Sequence, residues 1–356
     1  MRKRAAIGRA LTACGFAGAL EAFSFALMIG LASPTAGAEP QDIRWGTGPV
    51  GSSGGKALVV LADVLNKEMP NYRISVLPTP GAVQTVKGFA MGDFDGFYGS
   101  DVALREFATD SGRFKGFKTL AKRTPVQSLW CYTLDVGLAI KASDRDKIKR
   151  WADLAGKEVF TGPLPFDTRK HLENALAALG VEHLYKQVDL STAGSQLNSG
   201  SIQGMLIYAA GGETAPPWLS EASLAVDWAV LNPSAEEIAA LKAKNFVIEE
   251  VDPASFKKRE VYVKRVTLLP FYWGFDVGLN VPTDDLYRML TVIEKHADEL
   301  GRLDPSFRQI AGGKMAEFQK RALNSTWALV PIHPGLAKFL KQKGMWNAEW
   351  DSRIAR

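Results

Sequence analysis

Apolar and polar positions after residue 38 fall into two stretches of the same order. Ile43–Gly46 alternates briefly as a strand, and a glycine-rich turn follows. Leu58, Val59, Leu61, Ala62 and Leu65 then recur at helical spacing over Lys56–Lys67. Arg73–Leu77 alternates again, Val83–Met91 fits a short helix, and Gly96–Tyr98 reads as a buried strand before Ser100-Asp101. A second run repeats the order. It has a strand at Lys157–Phe160 and a helix at Thr168–Leu179 carried by Leu172, Ala175, Leu176 and Leu179. A strand at Gln187–Leu190, a short helix at Gln196–Ser199 and a strand at Gly204–Ala209 complete it. Alternating strands and helices predict open α/β sheets, and the repetition predicts two lobes of like build. Ligands of such sheets sit beyond the carboxyl ends of the strands, so the expected site is a cleft between the lobes.

Two long extended segments, Tyr132–Lys141 (YTLDVGLAIK) and Phe271–Val281 (FYWGFDVGLNV), share the pattern DVGL and suit two strands crossing between lobes as a hinge. The expected fold is an α/β, two-lobe, type II periplasmic binding protein with an interlobe cleft. Its divisions are a signal peptide at 1–38, the first part of lobe 1 at 39–138 and lobe 2 at 139–277. The return to lobe 1, with C-terminal helices, is 278–356. Asp284–Leu300 has the spacing of one long amphipathic helix ending at Gly301, and Ala222–Phe256 reads as a decoration of lobe 2.

The first residues carry Arg2, Lys3, Arg4 and Arg9, then an apolar stretch that is cleanest from Ala22 to Ala32. Ala36-Gly37-Ala38 follows, the three-part pattern of an export signal cleaved before Glu39. Glu21 leaves too short an apolar run to span a bilayer. Leu11-Thr12-Ala13-Cys14 has the outline of a lipoprotein box, but Arg9 stands where apolar residues belong. Without residues 1–38 only Cys131 remains, so no internal disulfide can form. The formal charge of +5 is mostly a property of that leader: 39 Lys and Arg face 37 Asp and Glu beyond it. Such a balance, with basic residues dispersed, gives no footprint for nucleic acid. No His pair stands at ligand spacing, so neither a metal nor a cofactor is expected.

The turn after the first strand matches three catalytic patterns and satisfies none. Gly46-Thr47-Gly48-Pro49-Val50-Gly51 is a literal GxGxxG, but the next strand ends Val76-Leu77-Pro78-Thr79 with no carboxylate for a ribose. Gly51-Ser52-Ser53-Gly54-Gly55 fits GxSxG, yet it follows the first strand, and His171, His183, His296 and His333 are scattered. Gly55-Lys56 lacks the flanking residues of a phosphate loop. What the turn does offer is free N–H groups, a helix dipole and the Ser52 and Ser53 hydroxyls, a means of holding an anion without a charged side chain. Thr79-Pro80-Gly81-Ala82 and Asp167-Thr168 repeat that device before two further helices.

Several segments together resemble the TAXI-type solute receptors of TRAP transporters. They are GTGPVGSSGG, LADVLNKEMP, LPTPGAVQTVKGFAMGDFDGFYGSD, WADLAGKEVFTGP, YAAGGETAPP and VPIHPGLAKFLKQKG, in that order along the chain. The resemblance implies a periplasmic receptor for a small anionic or zwitterionic molecule, an organic acid or amino acid. It also implies integral membrane TRAP subunits driven by an ion gradient. Carried over by position, it places Thr47, Ser52 and Ser53 in the first ligand loop, and Thr79, Gly81, Ala82 and Val83 in the second. Ser100 and Asp101 fall in the third, where the candidate Tyr98, with Gly99, departs from the family's more usual valine-glutamine type of pair. In lobe 2 it points to Thr168, with Arg169 beside it as a partner for a ligand carboxylate, and to Gly212 and Glu213. A departure stands out: the family's Gly-Ser-Gly-Thr-like loop is replaced by Leu164-Pro165-Phe166-Asp167-Thr168. Tyr98, Trp130, Tyr132, Tyr272 and Trp273 are candidate aromatic walls. The rival readings are a receptor for an ABC-type importer, a periplasmic enzyme using Ser53 or the Asp101 and Glu213 carboxylates, and a sensor module.

Overall fold

The computed structural model describes residues 39–50, 52–325 and 330–356, with the Ser325 side chain left out. The expected signal peptide, Cys14 included, lies outside the described residues. Among the described residues ten strands form one sheet: β1 (Gln41–Thr47), β2 (Tyr72–Pro78), β3 (Gly96–Ser100), β4 (Trp130–Lys141), β5 (Glu158–Phe160), β6 (Leu184–Tyr185), β7 (Gly204–Ala210), β8 (Trp228–Leu231), β9 (Glu249–Val251) and β10 (Val266–Val277). Their order is β2-β1-β3-β10-β4-β7-β5-β6, with β8 on β4 and β9 on β10.

That order holds the same arrangement twice. In one half β1 pairs in parallel with β2 and β3, and β10 closes it antiparallel against β3. In the other β5 pairs in parallel with β6 and β7, and β4 closes it antiparallel against β7. The fold is therefore α/β with two lobes, and each lobe borrows its antiparallel strand from a segment that also runs into the other. Both crossing strands are 12 residues long and buried almost throughout, which explains their unbroken apolar character.

The crossing point is visible in the pairing. β10 leaves β9 after Leu268 and meets β3 at Trp273, so Leu269–Tyr272 has only β4 as a neighbour. Pro270 falls in this gap, where its missing N–H deprives no second strand of a bond. A register shift between Trp273 and Gly274 follows at once. Sheet support is thinnest there, so bending is least hindered there.

Helices flank the parallel strands: α1 (Ser53–Glu68), α2 (Ala82–Met91), α3 (Asp101–Ala108) and α4 (Asp167–Ala178). The residues after β10 return to the first lobe. The helix Thr283–Lys295 packs on α1. Gln319 exchanges two hydrogen bonds with the Trp130 backbone, accepting from N (2.8 Å) and donating to O (2.6 Å). The Gln127 amide donates to Val330 O (2.9 Å), and His333 N donates to Gln127 O (2.9 Å).

Several expectations need correction. α1 begins at Ser53 rather than Lys56, because Ser52 caps it and draws the glycines into its first turn. The strand expected at Gln187–Leu190 is absent. β6 is Leu184–Tyr185, and Lys186 N to Val159 O (3.0 Å) is the last bond before the chain turns away. The single helix expected from Asp284 to Leu300 is two, Thr283–Lys295 and Ala297–Leu303, broken at His296. The His296 ring is held by Glu299 (2.8 Å) and Glu68 (3.3 Å). Gly301 lies inside the second helix, against Arg308 and Ala311, rather than ending the first. Ala222–Phe256 is more than a decoration, since it supplies β8 and β9 to the sheet.

Candidate functional site

Between the lobes lies a cavity of about 60 Å³, lined by Gly48, Pro49, Ser52, Ser53, Gly54, Gly81, Ala82, Tyr98, Leu134, Phe166, Asp167, Thr168, Tyr208 and Trp273. It has room for a few water molecules or a compact solute. The amino ends of α1, α2 and α4 all reach it, each following a parallel strand. At α1 the Ser52 hydroxyl accepts from Gly55 N (3.1 Å). Gly54 is required by close approach: a Cβ there would stand 2.4 Å from the Tyr98 ring. At α2 the N-cap is Gly81, where an added Cβ would meet nothing within 4 Å. Thr79 builds that turn from behind, its hydroxyl donating to Thr47 O (2.8 Å) and accepting from Gly81 N (3.3 Å).

Aromatic rings form the walls. Tyr98 stacks on Trp273 (centroids 4.4 Å apart) and on Phe275 (5.2 Å), and its hydroxyl meets that of Tyr132 at 2.7 Å. Burial pushes both phenols well above their ordinary pKa, so both stay neutral. Tyr208 faces them from β7 with its hydroxyl beside Ser53, a neighbour from the opposite lobe. Two polar atoms on the lining, Thr168 Oγ1 and Trp273 Nε1, are buried without a hydrogen-bond partner in the protein. With the free N–H groups of three helix ends they give a site rich in neutral donors, suited to a small acceptor-bearing group. Among the described residues no Lys or Arg lines it.

The one carboxylate on the lining is already engaged. Asp167 accepts from Ser100 Oγ (2.6 Å) and from Arg113 Nη1. It does not cap α4 as the sequence suggests: Phe166 holds the cap position, and Asp167 is the first helical residue.

Of the sequence candidates, Ser52, Ser53, Gly81, Ala82, Tyr98 and Thr168 line the cavity, as does Trp273. The structure places the others elsewhere. Thr47 and Thr79 support the α2 turn, and Val83 is core. Ser100 caps α3, accepting from Ala103 N (3.0 Å). Asp101 is buried beside Arg105, and burial lifts its carboxyl to about 7. Arg169 turns away, stacking over Tyr185 (4.0 Å) and lying 3.7 Å from Glu173. Glu213 pairs with Arg308 at 3.0 Å, and Gly212 takes a positive φ (+69°) to turn beside Asp135. Trp130 and Tyr272 pack edge to face on each other, and Tyr132 stands behind Tyr98. Tyr208 escaped the sequence reading, although the duplication marks it. It stands two residues from the end of the third parallel strand of its lobe, as Tyr98 does in the other.

A family pattern matches residues 46–344, most of the chain. The chain belongs to the NMT1-like family. Comparison of the sequence with curated proteins gives no match. Among solved structures similar to this NMT1-like protein is the periplasmic aliphatic sulphonate-binding protein SsuA of Escherichia coli. It is 14% identical over 88% of this chain and 97% of its own, with a TM-score of 0.43. Another is the probable amino-acid ABC transporter extracellular-binding protein YtmK of Bacillus subtilis, 14% identical over 76% and 98%, with a TM-score of 0.45. No helix among the described residues of the NMT1-like protein is long and apolar enough to cross a membrane. No group of His, Cys, Asp and Glu among them can hold a metal ion.

Proposed function

We propose that this protein is an extracytoplasmic solute-binding receptor rather than an enzyme, capturing a small anionic or zwitterionic molecule for a membrane transporter by hinge closure. The observation that carries the reading is the convergence of three helix amino ends, from both lobes, on one aromatic-walled cavity. A ligand acceptor group held there gains hydrogen bonds from both lobes at once. Binding therefore favours the closed arrangement by the difference between two sets of contacts and one. Micromolar affinity needs about 8 kcal/mol, within reach of several hydrogen bonds to an anion in a site shielded from water.

The ordered motifs favour a TAXI-type receptor, with TRAP membrane subunits as partners and a small organic acid or amino acid as ligand. The lobe limits 39–138, 139–277 and 278–356, and export by a cleaved leader, belong to the same proposal. SsuA and YtmK bear names that tie them to sulphonate and to ABC transport, so those solutes join the test. Mass spectrometry of the denatured protein, followed by thermal shift against organic acids, amino acids and alkanesulphonates, tests the reading. An intact released molecule that raises the melting temperature on re-addition supports a receptor, whereas chemical turnover of it points to an enzyme. Uptake by the reconstituted partner that needs ATP, not an ion gradient, makes the transporter ABC-type.

A further inference from the structure

The loop that departs from the expected lobe 2 pattern makes the most defined polar contact across the cleft. Asp167 belongs to the lobe of β5–β7, and its side chain has no exposed surface. Both its partners come from the other lobe: Ser100 Oγ at the end of β3 (2.6 Å) and Arg113 Nη1 in the turn after α3. Arg113 Nη1 also reaches back to Pro165 O (3.2 Å), so a second bond crosses at the same place. Within its own lobe Arg113 Nε donates to Glu106 Oε2 at 2.6 Å. That bond fixes the planar fork before it meets Asp167, so little side-chain freedom remains to be lost on closing. Asp167 in turn sits in the first turn of α4, where the helix dipole favours a negative charge. None of these groups depends on a solute.

We propose that Ser100, Arg113 and Asp167 form a strut that holds the two lobes closed in the absence of ligand, with Arg113 and Asp167 as positioning residues for the amino end of α4. The proposal rests on the two-lobe hinge reading but not on the ligand. The strut supplies part of the closing free energy that a solute would otherwise have to provide. It also fixes the register in which α4 meets α1 and α2 over the cavity, the role for which buried ion pairs are best attested.

The test is single-molecule energy transfer between dyes at Asp63→Cys on α1 and Leu184→Cys on β6. Both positions are exposed, and the native Cys131 is buried. The ligand-free wild type is expected in one high-transfer state. Asp167→Asn and Asp167→Ser should each raise the low-transfer population at least about tenfold, while Arg113→Lys, which keeps the charge but lacks the fork, should fall between the wild type and Arg113→Gln. Circular dichroism and a cooperative melt identify folded variants, and the two Asp167 variants leave Arg113 paired with Glu106. A wild type open without ligand overturns the strut. So does the same transfer distribution in folded Asp167→Ser and wild type. Because no ligand is present, a failure of every solute to bind leaves this comparison intact and counts against the receptor reading alone.

Discussion

The two lobes have one topology and two chemistries. Each sets a loop from its first parallel strand onto the amino end of a helix at the cavity. In lobe 1 that loop is Gly48–Ser53, uncharged, with Ser52 capping α1 and Gly54 pressed under Tyr98. In lobe 2 it is Leu164–Asp167, which carries a buried carboxylate tied to the opposite lobe. The same contrast appears on the crossing strands. Asp135 of β4 and Asp276 of β10 occupy the same place in DVGL, and both are buried. Asp276 accepts from Ser128 N (2.6 Å), Ser128 Oγ (3.2 Å) and Leu129 N (3.0 Å). Neither oxygen of Asp135 has a partner at hydrogen-bonding geometry, although Thr133 and the Gly212 N–H lie near enough to draw its pKa down slightly. A duplicated frame thus repeats its backbone plan faithfully while its polar groups diverge.

The largest expected effect comes from the less satisfied aspartate. Burial raises the Asp135 carboxyl to about 8, against about 3.9 for an ordinary Asp. Between those values the folded protein keeps a proton that the unfolded chain releases. This contribution to stability is therefore complete below about pH 4 and is lost as pH rises through 8. Asp135→Asn should match the wild type near pH 4 and exceed it by up to ~5 kcal/mol at pH 8 in urea titrations. Parallel curves at all pH values would mean that Asp135 is already ionised and solvated.

Asp276, whose carboxyl burial also lifts, to about 7, differs in the donors it holds. Asp276→Ala strands the Ser128 and Leu129 N–H groups in the core and should lose ~2 kcal/mol at pH 6. An unchanged melting curve would show that water replaces the carboxylate, and the contrast between the DVGL sites would collapse.

The cavity loops offer a way to separate stability from binding. Gly54→Ala forces a methyl into the Tyr98 ring and should cost ~2 kcal/mol of stability. Gly81→Ala places its methyl in open space on the cavity lining. It should stay within ~0.5 kcal/mol of wild type while weakening ligand about tenfold by calorimetry. Normal affinity in Gly81→Ala would remove the α2 turn from the site.

The smallest effect belongs to a residue that the sequence points to and the structure places away from the cavity. Glu213→Ala breaks an exposed pair with Arg308 and should change stability by less than ~1 kcal/mol and affinity not at all. A clear loss of affinity would bring the Glu213 turn back into the site.

These contrasts also show what can be read from sequence here. Apart from β6, which is two residues long and half-exposed, the parallel strands and their helices are legible because burial on one helical face and continuous burial in a strand leave distinct periods. The glycine and serine loops of lobe 1 stand out for the same local reason, and of their candidates Ser52, Ser53, Gly81 and Ala82 line the cavity while Thr47, Thr79 and Val83 do not. Asp167 was noticed as a departure, but its partner Arg113 is 54 residues away, in a turn with no pattern of its own. The break at His296 is hidden because the apolar face continues through it, and the ring is held by Glu299 three residues on together with Glu68 on another helix. Tyr208 is legible through the duplication, as one lobe laid over the other predicts it from Tyr98.

The return of the chain to lobe 1 also bears on the timing of synthesis. Lobe 2 comes from a continuous stretch of chain, whereas lobe 1 waits for β10, for Gln319 to clasp Trp130, and for His333 to meet Gln127. The interval between making residue 138 and making residue 333 is roughly 10–40 s at ordinary rates of translation. Until residue 277 is made the strands β1–β3 exist without their antiparallel neighbour, and until residue 333 without the last of these polar clasps. Lobe 2, though made later, is therefore the first to have all its strands.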